Sequence, residues 1–88
     1  MRLLNQPLLQ AFKQKYGDVR KALDEWQTEV EQAQWLVPQD IKRAYQSADF
    51  LANNRVIFNI KGNHYRLVVK VRYQNAIVLI EWVGTHAQ

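Results

Sequence analysis

Among the side chains able to move protons or grip anions in the last third of this 88-residue sequence are Lys61, His64, Arg66 and His86. The first three surround a Gly62-Asn63 pair, and His86 follows Gly84-Thr85. Two-metal phosphodiester cleavage needs clustered carboxylates to hold its ions. From residue 50 onward the only acid is Glu81, so that chemistry is poorly served. A Ser/His/Asp triad fares no better, because nothing places a serine near either histidine. RNA, in contrast, brings its own nucleophile. Its 2′-hydroxyl attacks the adjacent phosphate once one group accepts the proton, another donates to the leaving 5′-oxygen, and cations stabilise the developing charge. Lys61, Arg66, His64 and His86 are residues of the right kind, and no cofactor is required.

These residues need a scaffold, and the run from Arg55 to His86 provides one. Two tight turns, Gly62-Asn63 and Gln74-Asn75, separate runs rich in Val, Ile, Leu and Tyr, which is the pattern of two successive hairpins. Strands are expected over 55–61, 64–73 and 76–83. Two-residue loops place Lys61 opposite His64, Asn59 opposite Arg66, Phe58 opposite Leu67 and Val56 opposite Val69. Across the second turn they place Tyr73 opposite Ala76, Val69 opposite Ile80 and Leu67 opposite Trp82. Side chains alternate along a strand. One face then carries Val56, Phe58, Ile60, Tyr65, Leu67, Val69, Val71, Val78, Ile80 and Trp82. The other carries Arg55, Asn59, Lys61, His64, Arg66, Lys70 and Arg72.

Charge follows the same division. Residues 1–49 hold seven basic and seven acidic groups, a net of zero; residues 50–88 hold five basic groups and Glu81, a net of +4. Arg55 is expected opposite Lys70, a like-charge pair that costs a sheet stability. A pattern with that cost points to an anionic partner, and nucleic acid is the one that fits best. Arg55, Asn59, His64, Lys70 and Arg72 are accordingly the candidate RNA-binding residues, around Lys61, Arg66 and His86.

The length allows one domain, 1–88, with one modest core. The sequence contains no cysteine, and no apolar run approaches the length of a membrane span, so a cytoplasmic protein is expected. Met1–Leu4 is apolar and suited to an edge strand. Asn5 and Pro7 open a helix whose Leu8, Leu9, Phe12 and Tyr16 recur at helical spacing, with Gly17 placed to stop it. Asp18 is expected to cap a second helix, in which Val19, Ala22, Leu23, Trp26, Val30 and Ala33 form one buried stripe. These two helices cover the apolar sheet face, an α+β arrangement. Mixed charge on the helices reads as a solvated face. Pro38 opens a short helical turn through Tyr45, Trp35 reads as satellite packing beneath a loop, and 47–54 reads as a loop.

The run Asn53-Asn-Arg-Val-Ile-Phe-Asn-Ile-Lys-Gly-Asn-His-Tyr-Arg-Leu-Val-Val-Lys-Val71, with Val83-Gly-Thr-His86 after it, resembles the HigB family of bacterial toxins. Ala33-Gln-Trp35 through Ser47-Ala-Asp-Phe-Leu51 matches the family's middle segment. The resemblance covers nearly the whole chain. It implies a RelE-like fold: a short N-terminal strand, two helices, then a three-stranded antiparallel meander completing one sheet. It also implies a toxin that cuts messenger RNA on the ribosome and is neutralised by a helix-turn-helix antitoxin of the HigA type. By the same resemblance Arg66 takes phosphate and transition-state charge, and Lys61 stabilises charge or transfers a proton. His86 becomes the candidate acid or base, since imidazole exchanges protons near neutral pH. Asn59 would orient Arg66 or the RNA. The sequence departs from the family at its end. There the Thr-His pair is followed by an acidic residue and Tyr-Asp, whereas here Ala87-Gln88 closes the sequence, which implies either truncation or a member that works without that tyrosine.

A second class fits the same basic face: a non-catalytic module that binds RNA or ribosomes. The two differ at His86, which a cleaving enzyme needs and a binder does not.

Overall fold

A computed structural model describes residues 1–87. Its centre is one five-stranded sheet in the order β1-β5-β4-β3-β2, where β1 is Arg2–Leu4, β2 Asp49–Leu51, β3 Arg55–Ile60, β4 Tyr65–Arg72 and β5 Ile77–Thr85. The meander β3-β4-β5 is antiparallel, β2 continues it antiparallel to β3, and β1 joins β5 in parallel. The expected α+β arrangement with a short first strand is what the chain adopts.

The first hairpin has the register that its turn dictates, with Asn59 opposite Arg66, Phe58 opposite Leu67 and Arg55 opposite Lys70. Its turn bends through left-handed Lys61 (φ 53°) and Gly62 (φ 66°), and the His64 N–H closes it by donating to the Lys61 carbonyl at 3.3 Å. Glycine takes that conformation readily, whereas lysine does so only where the surroundings hold it. The second hairpin begins as expected, with Val69 opposite Ile80, and then slips. Val68 pairs with Trp82 and Leu67 with Val83, so Glu81 is the extra residue of a β-bulge. The expected Leu67–Trp82 pair is therefore wrong. A bulge sets two consecutive side chains on one side of the strand. Here Glu81 and Trp82 both lie on the face opposite the helices, while Val83 turns inward to pack on the core.

Three helices cover the other face: α1 (Gln6–Lys15), α2 (Arg20–Gln32, after a 3-10 turn at Gly17–Val19) and α3 (Pro38–Ala44). Leu9 and Phe12 from α1 and Leu23, Trp26 and Val30 from α2 bury onto Val56, Phe58, Leu67, Val69, Val71, Val78 and Ile80. Each fully buried aliphatic side chain of this set contributes about 1.5–3 kcal/mol. Trp26 meets Phe58 edge-on at 5.4 Å, and Trp35 stacks on Phe58 at 6.1 Å. Trp35 thus belongs to the main core and is no satellite.

Local signals were put to uses other than those expected. Tyr16, not Gly17, ends α1, its N–H donating to the Phe12 carbonyl at 2.9 Å. Asn5 holds a left-handed backbone (φ 68°), and its Nδ2 donates across to the Ile80 carbonyl at 2.9 Å, tying the start of α1 to β5. Asp18 does not cap α2, which starts at Arg20, because its carboxylate is engaged by the sheet. At α3 it is Asp40 that reaches back, its Oδ2 accepting from the N–H groups of Leu36 (2.9 Å) and Val37 (3.2 Å), half of a capping box. Those N–H groups hold the Asp40 carboxyl below its ordinary range. Within 47–54, expected as a loop, Asp49–Leu51 forms the edge strand β2. The helices are also less uniformly solvated than expected, since Lys13 is buried between Asp24 and Gln27 of α2.

Candidate nucleic-acid interface

The face that the helices leave bare is built on β3, β4 and β5. Arg66 is its centre. It lies in β4 between Tyr65 and Leu67, both buried in the core, so its backbone position is fixed by packing while its side chain stays half exposed. Opposite it stand Asn59 on β3 and, because of the bulge, Gly84 on β5. A residue without a side chain leaves room there for the guanidinium. His86 extends the ladder one step further, its N–H donating to the His64 carbonyl at 3.0 Å. Two residues beyond Gly84, its ring returns to the same face, and Arg66 Nη2 lies 3.1 Å from His86 Nε2. A guanidinium only donates. In this contact the guanidinium is therefore the donor and His86 Nε2 the accepting side.

Arg55 and Lys70 pair directly, as expected, on the far side of an apolar strip formed by Ile57, Val68 and Trp82. Their repulsion is offset by the bulge. Glu81, set out on this face, accepts from Arg55 Nε at 2.8 Å. A surface pair of this kind is worth about 0–1 kcal/mol. Arg72 is exposed at the other end of β4, six residues and so about 20 Å from Arg66. His64 is exposed in the turn. The Asn59 side chain is committed to the scaffold, its Nδ2 donating to the Ser47 carbonyl at 3.1 Å.

Lys61 departs from its expected place. The left-handed backbone at this position breaks the strand alternation, and the ammonium turns toward the helix layer, 3.0 Å from Asp18 Oδ2. The Tyr65 hydroxyl donates to the same carboxylate at 2.7 and 2.8 Å. The Tyr65 hydroxyl and then Lys61 pull the Asp18 carboxyl below its ordinary value, and the Asp18 carboxylate pushes the Tyr65 hydroxyl up. Of the three expected catalytic residues, Arg66 and His86 are in contact, while Lys61 is held by a residue of the opposite layer. Among the described residues, no three His, Cys, Asp or Glu side chains converge as metal ligands would. No helix among them is long and apolar enough to cross a membrane.

Sequence reasoning missed two residues. Asp18 has the spacing of a helix cap, and nothing local distinguishes a cap from a cross-layer carboxylate. Strict alternation assigns Trp82 to the core. A hint was present, since strict alternation leaves Val83 outward and brings Gly84 inward, and the bulge reverses Val83 to the inside.

An open mixed sheet with a short first strand and helices packed on one face is consistent with the RelE-like fold. The family model described as "HigB_toxin, RelE-like toxic component of a toxin-antitoxin system" matches residues 19–88, and the chain belongs to that family. It is thus the toxin of a toxin–antitoxin pair, with an antitoxin as partner. No curated protein matches the chain.

Proposed function

We propose that this toxin is an endoribonuclease that cuts messenger RNA during translation, and that Arg66 and His86 carry the reaction. The observation behind this reading is the 3.1 Å contact between Arg66 and His86 at the centre of the basic face. In the first step, Arg66 exchanges the imidazole for the scissile phosphate, gripping two of its oxygens with the fork of its guanidinium. That exchange frees the Nε2 lone pair. His86 then accepts the 2′-hydroxyl proton, the 2′-oxygen bonds to phosphorus, and the bond to the 5′-oxygen breaks. The leaving oxygen takes a proton from water, and the products are a 2′,3′-cyclic phosphate and a 5′-hydroxyl. Lys61 serves as a second cation once its ammonium leaves the Asp18 carboxylate for the phosphate. Arg55, Lys70 and Arg72 track the flanking backbone, and His64 lines the turn beside it. Asn59 serves indirectly, by holding the 45–48 loop against β3. The reading places the protein in the cytoplasm, where messages are translated, and its antitoxin is of the helix-turn-helix type.

The test is induced expression with primer extension on a translated message. Discrete cuts should appear with the natural sequence and disappear in Arg66→Ala and His86→Gln. A non-catalytic binder would arrest translation without cuts and would tolerate His86→Gln. Cutting at the original rate in both folded variants overturns the assignment.

A further inference from the structure

The bulge at Glu81 does more than move a charge. It sets Trp82, 37 % exposed, on the same sheet face as Arg66, where strict alternation would have buried it. Trp82 pairs with Val68, and Gly84, two residues on, pairs with Arg66. Trp82 is therefore the diagonal neighbour of Arg66 in the ladder, at a separation of about 7–8 Å. One nucleotide spans a similar distance, so a phosphate at Arg66 brings an adjacent base over Trp82. The surroundings suit a base. Ile57 and Val68 lie beside Trp82 in the ladder on the bare face, and toward the α1 layer Trp82 also lines a groove with Phe12, Lys15, Tyr16 and Val83. Lys15 rests its ammonium 5.4 Å from the centre of the Tyr16 ring, which puts a cation and a second aromatic within that groove.

We infer that Trp82 is the stacking platform for the nucleotide adjoining the scissile phosphate, with Lys15 as a backbone contact on its far side. The indole offers a π-face to any base, so the contact supplies affinity and alignment with little sequence preference. This inference rests on the ribonuclease reading and adds a residue to it.

The protein reports on this site by its own fluorescence. Of its three tryptophans, Trp26 (2 % exposed) and Trp35 (5 %) are buried, and Trp82 alone among them is open to solvent. The experiment titrates a short single-stranded RNA, made uncleavable by 2′-deoxy substitution, into the full chain and follows the fluorescence accessible to acrylamide. RNA should quench that fraction and shield it. Trp82→Leu should lack the signal and bind about 5- to 150-fold more weakly by fluorescence anisotropy of a labelled RNA. Trp82→Phe, which keeps a ring, should recover most of the affinity. Far-UV circular dichroism confirms that the variants fold. Unchanged affinity in Trp82→Leu, with affinity lost in Arg66→Ala, overturns the stacking role and leaves the ribonuclease reading intact. Normal RNA binding by Trp82→Leu combined with escape from the antitoxin would reassign the indole to the protein partner. If the unaltered chain binds no free RNA, the stacking role falls, while the ribonuclease reading is decided by the primer-extension test.

Discussion

Arg66 is constrained and free in the proportion that anion recognition needs. Its neighbours Tyr65 and Leu67 pin the backbone, and among the described residues its guanidinium hydrogen-bonds to His86, a group it can give up. Arg66→Ala should lower cleavage by about 100- to 1,000-fold, the usual effect of removing one preorganised donor from a developing anion. Arg66→Lys, which keeps the charge but not the fork, should fall nearly as far. His86→Gln should slow single-turnover cleavage by about 100-fold or more while RNA affinity stays within a few-fold. Lys61 yields a different prediction. Because Tyr65 and Lys61 hold the Asp18 carboxyl down, the folded protein binds that proton less readily than the unfolded chain. The contact therefore contributes stability above the ordinary value of 3.8, and the contribution is lost as pH falls through the lower folded value. Melting temperatures of the natural protein and Asp18→Asn should differ at pH 7 and converge in acid. A gap that persists at pH 2 would mean that Asp18 acts through packing. The residue types of this site were legible in the sequence because chemistry is local. Their partners were not. Asp18 and Lys61 are 43 positions apart, and only the tertiary fold brings one to the other.

At the scale of elements, most of the sheet could be read because alternation and turn chemistry act over a few residues. The register of the first hairpin follows from Gly62-Asn63, and that of the second follows as far as Ile80. Beyond Ile80 the reading failed, since a bulge leaves the composition of a strand unchanged and is settled by packing against the layer beneath. Strand β2 escaped for a related reason, as three exposed residues at an edge carry no alternating pattern of their own. The bulge makes a sharp prediction. Glu81→Ala removes only the Arg55 contact and should cost about 0–1 kcal/mol in urea denaturation. Deleting Glu81 restores strict alternation. It drives Trp82 into a filled core beside Leu67 and moves Gly84 off Arg66. Overpacking alone costs about 1–3 kcal/mol, so the deletion should be clearly the more destabilising of the two. Equal stability of the two variants would mean that the strand slips without penalty.

For the whole molecule, the net charge of +4 falls entirely within residues 50–88, and the helical layer is neutral overall. If phosphate contacts drive association, the logarithm of the RNA affinity should fall linearly with the logarithm of salt concentration, with a slope of about −0.7 per phosphate contact on a single strand. Removing Lys70 or Arg55 should flatten that slope by a little under one unit each, whatever the RNA sequence. A flat salt profile would point the basic face at a protein.

The pairing of β1 with β5 has a consequence in time. Arg2 lies beside Ile77, and Asn5 reaches the Ile80 carbonyl 75 positions away, so an edge of the sheet is made from an early and a late segment of the chain. Contacts of such long sequence separation are slow to form, because a large loop must close before they repay its entropy. During synthesis β1 and α1 emerge long before their strand exists. The imidazole that faces Arg66 reaches its place only when residue 86 has been added. A chain proposed to act on translating ribosomes therefore carries no assembled site until residue 86 has left the ribosome that makes it.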